Sequence, residues 1–364
     1  RDTSKSMNLS SVSTYAKVHT RIRGMIGNLL IEETIARLSA SPDLSTLITK
    51  LDESSYGPYL TDSQEVNKSS RRAAYEIRKK LTHDYSIIIK HGTSFARPLL
   101  IQLFKLYEVD NLKAVLRGIE VGENWEKIRY TLFPIENYPT LPFEQMVQQG
   151  TVDSAITLLH NTEYEADLKL SLSRYHEEKS LFPVEVAIDL NYWHTLWDQI
   201  DSLPHEDEKI ARKLIGLMVD KNNLTWAARY RYYYHFSESE IINYTLPFGY
   251  KVCDDDIRAI AMDRNPYQLL ADIYPAISQE GTLDAKSTSK WQLNETLFMR
   301  LIYSTCKKVF SNGAFTIGLP LAYLLVLEME IQDLTLLFEA KSLEMPVEQF
   351  APYLIHKLPH LMKA

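Results

Sequence analysis

The sequence contains little cysteine, glycine or proline, and each shortage excludes something. Its 364 residues include two cysteines, 12 glycines and 15 prolines. Cys253 and Cys306 lie far apart and form no Cys-x-x-Cys pair, which argues against a zinc or dithiol redox site and indicates a reducing compartment. Few helix breakers, together with apolar residues that recur at helical rather than alternating spacing, predict an all-α protein.

The sequence also lacks a long apolar run and an excess of positive charge. Its longest apolar stretch, residues 315–327, is 13 residues long and includes Gly318 and Pro320, whereas a transmembrane helix needs about 20 apolar residues. Lys and Arg number 40 against 47 Asp and Glu, a net charge of −7. A nucleic-acid partner is therefore disfavoured. Since there is no polybasic amphipathic helix either, we expect no direct insertion into lipid.

The N-terminus and two polar stretches carry expectations of their own. Residues 1–6 are polar and do not provide the apolar core of a signal peptide, and we expect Met7 to be the native start, preceded by an expression remnant. Residues 61–70 and 278–290 are rich in polar side chains, which predicts exposed loops.

An internal repeat is the most informative feature that is present. An acidic residue is followed three positions later by Asn or Asp, and then by Leu, at three places whose acids lie 112 and 110 positions apart (108, 220 and 330). Each copy follows a strongly apolar segment of helical length. The acid and the Asn or Asp that follows it are Glu108 and Asn111 in the first copy, Asp220 and Asn223 in the second, and Glu330 and Asp333 in the third.

Two further patterns recur in the same register. The pattern Leu-x-x-x-x-Tyr ends at Tyr56, Tyr164 and Tyr274, which are 108 and 110 positions apart. Tyr-Thr-Leu begins at Tyr130 and at Tyr244, 22 residues after Glu108 and 24 after the acid at 220. Three patterns in one register predict a triplicated unit of about 110 residues.

The register predicts that one unit is divided between the ends of the chain. The third acidic motif lies near the C-terminus, and no such motif precedes the first Leu-x-x-x-x-Tyr. We expect one lobe at residues 7–107, completed by 330–364, a second at 108–219 and a third at 220–329. Joining the termini in one lobe closes the three lobes into a pseudo-threefold body.

Several short motifs occur in a characteristic order along the chain. They are Tyr15 with Arg21, Arg23, Gly24 and Met25; Asp110 to Arg117 and Gly118; Pro183, Glu185, Asp189 and Tyr192; Tyr244, Pro247 and Gly249; and Pro320 to Tyr323 with Glu328, Glu330, Ala340 and Lys341. Taken together, these motifs resemble the family of the d subunit of V-type ATPases, whose archaeal and bacterial counterpart is the C subunit of A/V-type ATPases. Asp333 and Gln332 depart from the Asn and the basic residue that are usual in the last motif of this family.

The resemblance implies an all-helical, funnel-like body of three lobes that stands on a membrane rotor ring and receives the end of a central stalk. It predicts a non-catalytic adaptor of a rotary ATPase at the cytoplasmic face of a membrane, with the stalk subunits and the proteolipid ring as partners. A helical-repeat scaffold that binds peptides in a groove is the alternative. No phosphate-binding loop and no Gly-x-Gly-x-x-Gly occurs in the sequence, so we expect no nucleotide cofactor and no ATP hydrolysis by this chain.

The repeated acidic motifs allow two interpretations. Asp110 or Asn111, and Asn222 or Asn223, cap helices after a short turn. Alternatively, the motifs and nearby basic residues face a central channel and grip an acidic or polar stalk end, which suits arginine's planar fork. The predicted partner-binding set is Arg23, Arg117, Arg229, Lys341, Glu108, Asn111, Asp220, Asn223, Glu330 and Asp333.

Other patterns favour structural roles. Asp254, Asp255 and Asp256 are expected in the first turn of a helix rather than in a calcium loop. His356 and His360 have the spacing of helical metal ligands, but Pro359 between them favours a solvated chain end. Tyrosines in the segment 229–235 are expected to pack between lobes rather than to stack on nucleic-acid bases, and Trp193 and Trp197 to form a core stripe.

Overall fold

The computed structural model describes residues 3–61, 69–136, 138–279, 295–312 and 314–358, with side chains from residue 13 onward except those of 278 and 279. Most of the loops predicted at 61–70 and 278–290 lies outside these ranges, as does His360. The helices are α1 (Thr3–Ile26), α2 (Glu32–Ser39), α3 (Leu44–Asp52), α4 (Ser70–His91), α5 (Arg97–Glu120), α6 (Trp125–Ile128), α7 (Phe143–Gln148), α8 (Val152–Thr157), α9 (Glu165–Glu178), α10 (Phe182–Asp201), α11 (His205–Tyr232), α12 (Glu238–Asn243), α13 (Asp254–Ala261), α14 (Pro266–Ile273), α15 (Pro275–Gln279), α16 (Glu295–Ser311), α17 (Gly318–Ser342) and α18 (Val347–Phe350).

The all-α prediction is confirmed, since every regular element in the described ranges is an α-helix or a short 3-10 helix. Local sequence explains several helix starts. Asn265 accepts backbone hydrogen bonds at the start of α14, where Pro266 occupies the first helical turn. Helix α13 begins at Asp254, so the three consecutive acids lie in its first turn as predicted.

The chain divides into two compact units. The first consists of the described parts of Arg1–Gly27, Ile200–Glu330 and Tyr353–Lys357; the second consists of those of Asn28–Gln199, Ile331–Pro352 and Leu358–Ala364. In the first unit α11 packs against α13 and α16, and in the second α5 packs against α4 and α7. The three lobe boundaries and the closed pseudo-threefold body stay predictions.

The order of elements repeats between the two units. Long helix α5 is followed by the short helices α6, α7 and α8 and then by Tyr164, and long helix α11 is followed by α12, α13 and α14 and then by Tyr274. Both tyrosines are 5% exposed, and Tyr56, which comes shortly after α3, is fully buried. The secondary structure thus follows the register found in the sequence.

Helix α17 contains most of the longest apolar stretch. Its apolar residues lie all around the helix and nearly all of them are buried, as expected of a helix inside a protein core. In the described part of the chain, no helix is both long and apolar enough to cross a membrane. Trp193 and Trp197 on α10 are buried, which confirms the predicted core stripe.

The expectation of a solvated chain end at His356 is wrong. His356 is 1% exposed, and its ring lies 4.8 Å from that of Tyr303. Its neighbours Leu354, Ile355 and Leu358 are also buried, so this segment packs on apolar side chains before the described residues end.

Candidate functional site

The repeated acidic motifs lie in the middle of long helices, so the capping interpretation is wrong. Asn111 is in the interior of α5, which runs on to Glu120, and Asn223 is in the interior of α11, which ends at Tyr232. Neither position is near the first turn, where amides lack helical partners. The structure instead gives these side chains a tertiary role.

Each asparagine holds a loop about 22 residues further along the chain. Asn111 accepts a hydrogen bond from the Phe133 backbone N–H at 2.6 Å and donates to the Phe133 carbonyl at 2.8 Å. Asn223 accepts from the Leu246 N–H at 2.8 Å and donates to the Leu246 carbonyl at 2.9 Å. Since both side chains are nearly fully buried, this reciprocal pairing satisfies polar groups that would otherwise be costly to bury.

In the second copy of the motif, the acidic residue Asp220 is the centre of a cluster of hydrogen bonds. Its carboxylate accepts hydrogen bonds from the backbone N–H groups of Tyr250, Lys251 and Val252 at 2.8, 2.8 and 3.3 Å, and from the Tyr274 hydroxyl. Asp220 is fully buried. Burial raises its pKa, and the four donated hydrogen bonds oppose that rise.

Gly249 permits the close approach of this loop to Asp220. A Cβ atom at position 249 would lie 2.1 Å from Oδ1 of Asp220, well inside van der Waals contact. The glycine is therefore required where the backbone meets the buried carboxylate.

The corresponding cluster around Glu108 is more open. The Tyr164 hydroxyl donates to Oε1 of Glu108 at 2.9 Å, and the backbone of Leu141 also forms a hydrogen bond to this carboxylate. Glu108 is half-buried. Burial raises its pKa, and the hydrogen bond from Tyr164 opposes the rise.

The third copy shows the same burial of polar residues. Glu330 is fully buried and Asp333 is 1% exposed. Lys341, near the end of α17, is also buried, and its Nζ lies 5.0 Å from the centre of the Phe350 ring. Burial and the nearby charge of Lys50 lower the pKa of Lys341.

The three predicted arginines, in contrast, are exposed. Arg23, Arg117 and Arg229 each lie three residues before the last residue of α1, α5 and α11, where positive charge complements the helix dipole. Arg23 donates to the Phe310 carbonyl at 2.6 Å. Arg117 is ion-paired with Glu185 of α10 in a two-point contact.

Partner contact stays a prediction for all ten residues. Asn111, Asp220 and Asn223 use their polar atoms on the chain's own backbone, whereas the arginines keep exposed charge. Sequence reasoning found the three repeated patterns but missed that they meet: Tyr164 follows Glu108 by 56 residues and Tyr274 follows Asp220 by 54, and each tyrosine binds that acid. This near-equal spacing was the available signal.

Comparison with known proteins identifies the family. The family model described as ATP synthase (C/AC39) subunit matches residues 18–353. The C subunit of the A-type ATP synthase of Methanocaldococcus jannaschii is 22% identical over 348 residues, which are 94% of this chain and 87% of that protein. The C subunit of the A-type ATP synthase of Methanothermobacter thermautotrophicus is 23% identical over 338 residues, or 90% of this chain and 84% of that protein.

These matches run along nearly the whole chain and agree with the resemblance noted in the sequence. As a member of this family, the chain is an accessory subunit and not a catalytic one. The protein belongs to the ATP synthase (C/AC39) subunit family.

Proposed function

We propose that this protein is the rotor adaptor of its ATP synthase complex, which connects the central stalk to the membrane proteolipid ring. The family match over residues 18–353 carries the proposal, because it makes the chain a subunit of such a complex. The adaptor role is the one implied by the sequence motifs, and the family membership favours it over a peptide-binding scaffold.

The internal construction of the units supports a mechanical role. Asp220, Asn111 and Asn223 fix loops to the long helices through buried hydrogen bonds. Buried polar networks with all partners in place hold one geometry and resist local opening. A part that transmits torque needs this stiffness, because elastic deformation of the adaptor would absorb part of each rotation step.

Exposed basic side chains supply the proposed stalk contact. Arg117 and Arg229 occupy matching places on α5 and α11, and Arg23 the same place on α1. An acidic or polar stalk end would compete with Glu185 for the planar guanidinium of Arg117, which can hold two oxygens at once. We place the protein at the cytoplasmic face, held there by protein contacts.

A bridging assay tests the proposal. Labelled central-stalk subunits are mixed with vesicles that contain the proteolipid ring, and sedimentation of the label is measured with and without this chain. We expect the stalk to sediment only when the chain is present. The chain alone should bind ring-containing vesicles and ignore protein-free vesicles, including anionic ones. Binding to bare lipid, or a stalk that sediments equally well without the chain, would contradict the adaptor role.

A further inference from the structure

The three arginines near the ends of α1, α5 and α11 differ in what they already contact. Arg23 donates a hydrogen bond to the Phe310 carbonyl, and Arg117 is bound by both carboxylate oxygens of Glu185. Arg229 is exposed, and its side chain forms no ion pair or hydrogen bond with the residues that the structure describes. The Arg229 guanidinium can therefore bind an acceptor from outside without first giving up one of the chain's own.

The residues four and five positions after these arginines differ as well. They are Gly27 and Asn28 after Arg23, Val121 and Gly122 after Arg117, and Tyr233 and Tyr234 after Arg229. Tyr233 keeps a helical backbone conformation and donates its N–H to the Arg229 carbonyl at 2.9 Å. Side chains four positions apart on a helix are neighbours on one face. At these positions, the end of α11 therefore places an aromatic side chain beside its arginine, and the other two ends do not.

The two tyrosines are open to solvent. Tyr233 is 68% exposed and Tyr234 is 38% exposed, so the prediction that the tyrosines of this segment pack between lobes is wrong for Tyr233. Aromatic residues and arginine are the types that are enriched in protein interfaces and at their energetic hot spots. We call Arg229, Tyr233 and Tyr234 together the α11 patch.

Buried groups hold the α11 patch in one conformation. The Tyr233 ring lies 5.0 Å from that of Tyr234, which stacks on Phe236 at 5.3 Å, and Phe236 lies 5.9 Å from the buried Tyr230 ring. The backbone is also fixed, because the Phe236 N–H donates to the Tyr230 carbonyl at 3.0 Å. A surface that is already ordered loses little conformational entropy when a partner binds to it.

The other charged side chains near the end of α11 already have partners within the chain. They are Arg231 with Asp263, Glu238 with Arg258, and Glu240 with Ser237 in the capping box of α12. The charge that is open to a partner at this surface is therefore the Arg229 guanidinium, and the group that complements it is a carboxylate.

We propose that the α11 patch is the principal binding surface for the stalk end, and that the stalk meets it with a carboxylate beside an apolar side chain. The carboxylate binds Arg229, and the apolar side chain covers the Tyr233 ring. The proposal rests on the adaptor role and adds that the three matched helix ends contribute unequally. Arg117 contributes less, since a stalk carboxylate must displace Glu185 to reach it.

Titration of labelled central-stalk subunits with the full-length chain, followed by fluorescence anisotropy, tests this proposal. We expect Tyr233→Ala and Arg229→Gln each to weaken stalk binding by about tenfold or more, as substitutions at interface hot spots do. Tyr233→Phe keeps the ring and should bind nearly as well as wild type. The melting temperatures should stay close to that of wild type, because both side chains are exposed.

The matched controls are Val121→Ala and Arg117→Gln, at the same places on α5. Val121 is 72% exposed, slightly more than Tyr233, so the controls alter an equally accessible helix end. We expect them to weaken stalk binding much less than the two variants on α11. A loss from the α5 variants that equals or exceeds the loss from the α11 variants would overturn the proposal, as would wild-type affinity of Tyr233→Ala.

Two further readouts separate the possible errors. If Tyr233→Ala loses binding to ring-containing vesicles but keeps its stalk affinity, the patch binds the ring and the proposal is wrong. The bridging assay distinguishes this proposal from the adaptor role. A Tyr233→Ala protein that bridges stalk and ring as well as wild type would overturn the α11 patch alone. A wild-type chain that does not bridge them would overturn the adaptor role, and the patch assignment with it.

Discussion

The clusters around Asp220 and Glu108 both attach a loop and a tyrosine to a long helix, but they differ in burial and in their backbone contacts. In both, an asparagine three residues after the acid holds a loop by its backbone, and a tyrosine hydroxyl binds the acid. Asp220 is fully buried and also binds three consecutive backbone amides, whereas Glu108 is half-buried and binds the backbone at Leu141.

The difference follows from side-chain length and from one glycine. Gly249 lets the loop come so close that the short Asp220 reaches its amides. In the second unit, Pro134 corresponds to Pro247 of the first unit. The residue two positions after it is the exposed Glu136, where the first unit has Gly249. The longer side chain of Glu108 occupies the acid position there. The cluster with the shorter acid thus has a glycine in its loop, and the cluster with the longer acid does not, while the asparagine is the same in both.

The largest effect is expected from removing the buried acid. Asp220→Ala leaves three backbone N–H groups and the Tyr274 hydroxyl without their acceptor, and each unsatisfied buried donor costs about 1–3 kcal/mol. We expect a loss of more than about 3 kcal/mol in the free energy of unfolding, and faster hydrogen exchange at the amides of 250–252. Glu108→Ala should cost less than half as much. Equal losses in urea unfolding would show that the two clusters do not differ as described.

The next largest difference between the two clusters is expected from adding one methyl group at position 249. Gly249→Ala places a Cβ against Oδ1 of Asp220, and such overpacking costs about 1–3 kcal/mol. At the corresponding place in the second unit, Glu136→Ala alters an exposed side chain and should shift the melting temperature little. A Gly249→Ala protein that melts like wild type would remove the close approach from the account.

The pH dependence of stability should reveal the hydrogen bond between Tyr164 and Glu108. Burial raises the pKa of Glu108 in the folded state, so the stability linked to its proton is present at low pH and is lost as pH rises through that pKa. Tyr164→Phe removes a bond that favours the charged form and raises this pKa further. The variant's deficit in melting temperature should therefore be small near pH 4 and grow toward pH 7.

The control for that experiment is Tyr175→Phe. Tyr175 donates to Glu120 at 2.7 Å, but this contact is exposed. We expect a small deficit that changes little with pH. A Tyr164→Phe deficit that stays constant from pH 4 to pH 7 would contradict a half-buried Glu108 that is charged at neutral pH and accepts this hydrogen bond.

The smallest effect on stability is expected from replacing the two arginines that occupy matching positions near the ends of α5 and α11. Arg117 and Arg229 are exposed near the ends of α5 and α11, and an exposed ion pair contributes about 0–1 kcal/mol. The double variant Arg117→Ala with Arg229→Ala should melt within a few degrees of wild type, with unchanged helix content. Its affinity for the stalk should fall, most clearly at low salt. A large drop in melting with unchanged affinity of the folded protein would end the stalk assignment for both residues.

Much of the fold could be predicted because periodic patterns report on helices directly. The all-α class and the register of about 110 residues follow from local spacing, and the place of Asp254, Asp255 and Asp256 in the first turn of a helix follows from their charge, although the helix was expected to begin near Ile257. The role of Asn111 and Asn223 could not be predicted, because asparagine by itself favours helix ends. Here its bonds to a loop 22 or 23 residues away override that preference.

The candidate site was predicted only in part for a related reason. Sequence spacing placed eight of the ten predicted residues, all except Arg23 and Lys341, in one register, but it did not separate buried from exposed ones. Asp220 and Arg229 lie on one helix, nine residues apart, yet the acid is fully buried and the arginine is exposed. That distinction depends on which face α11 presents to α13 and α16, and it needs the tertiary structure.

Coupling between ATP hydrolysis and ion transport tests the central claim most directly. Vesicles carrying the ATP synthase complex are prepared without this protein, and ATP hydrolysis and ATP-driven ion uptake are measured before and after the purified chain is added. The adaptor role predicts hydrolysis without ion uptake in its absence, and uptake restored by wild-type chain. Undiminished uptake by complexes that lack the chain would contradict it.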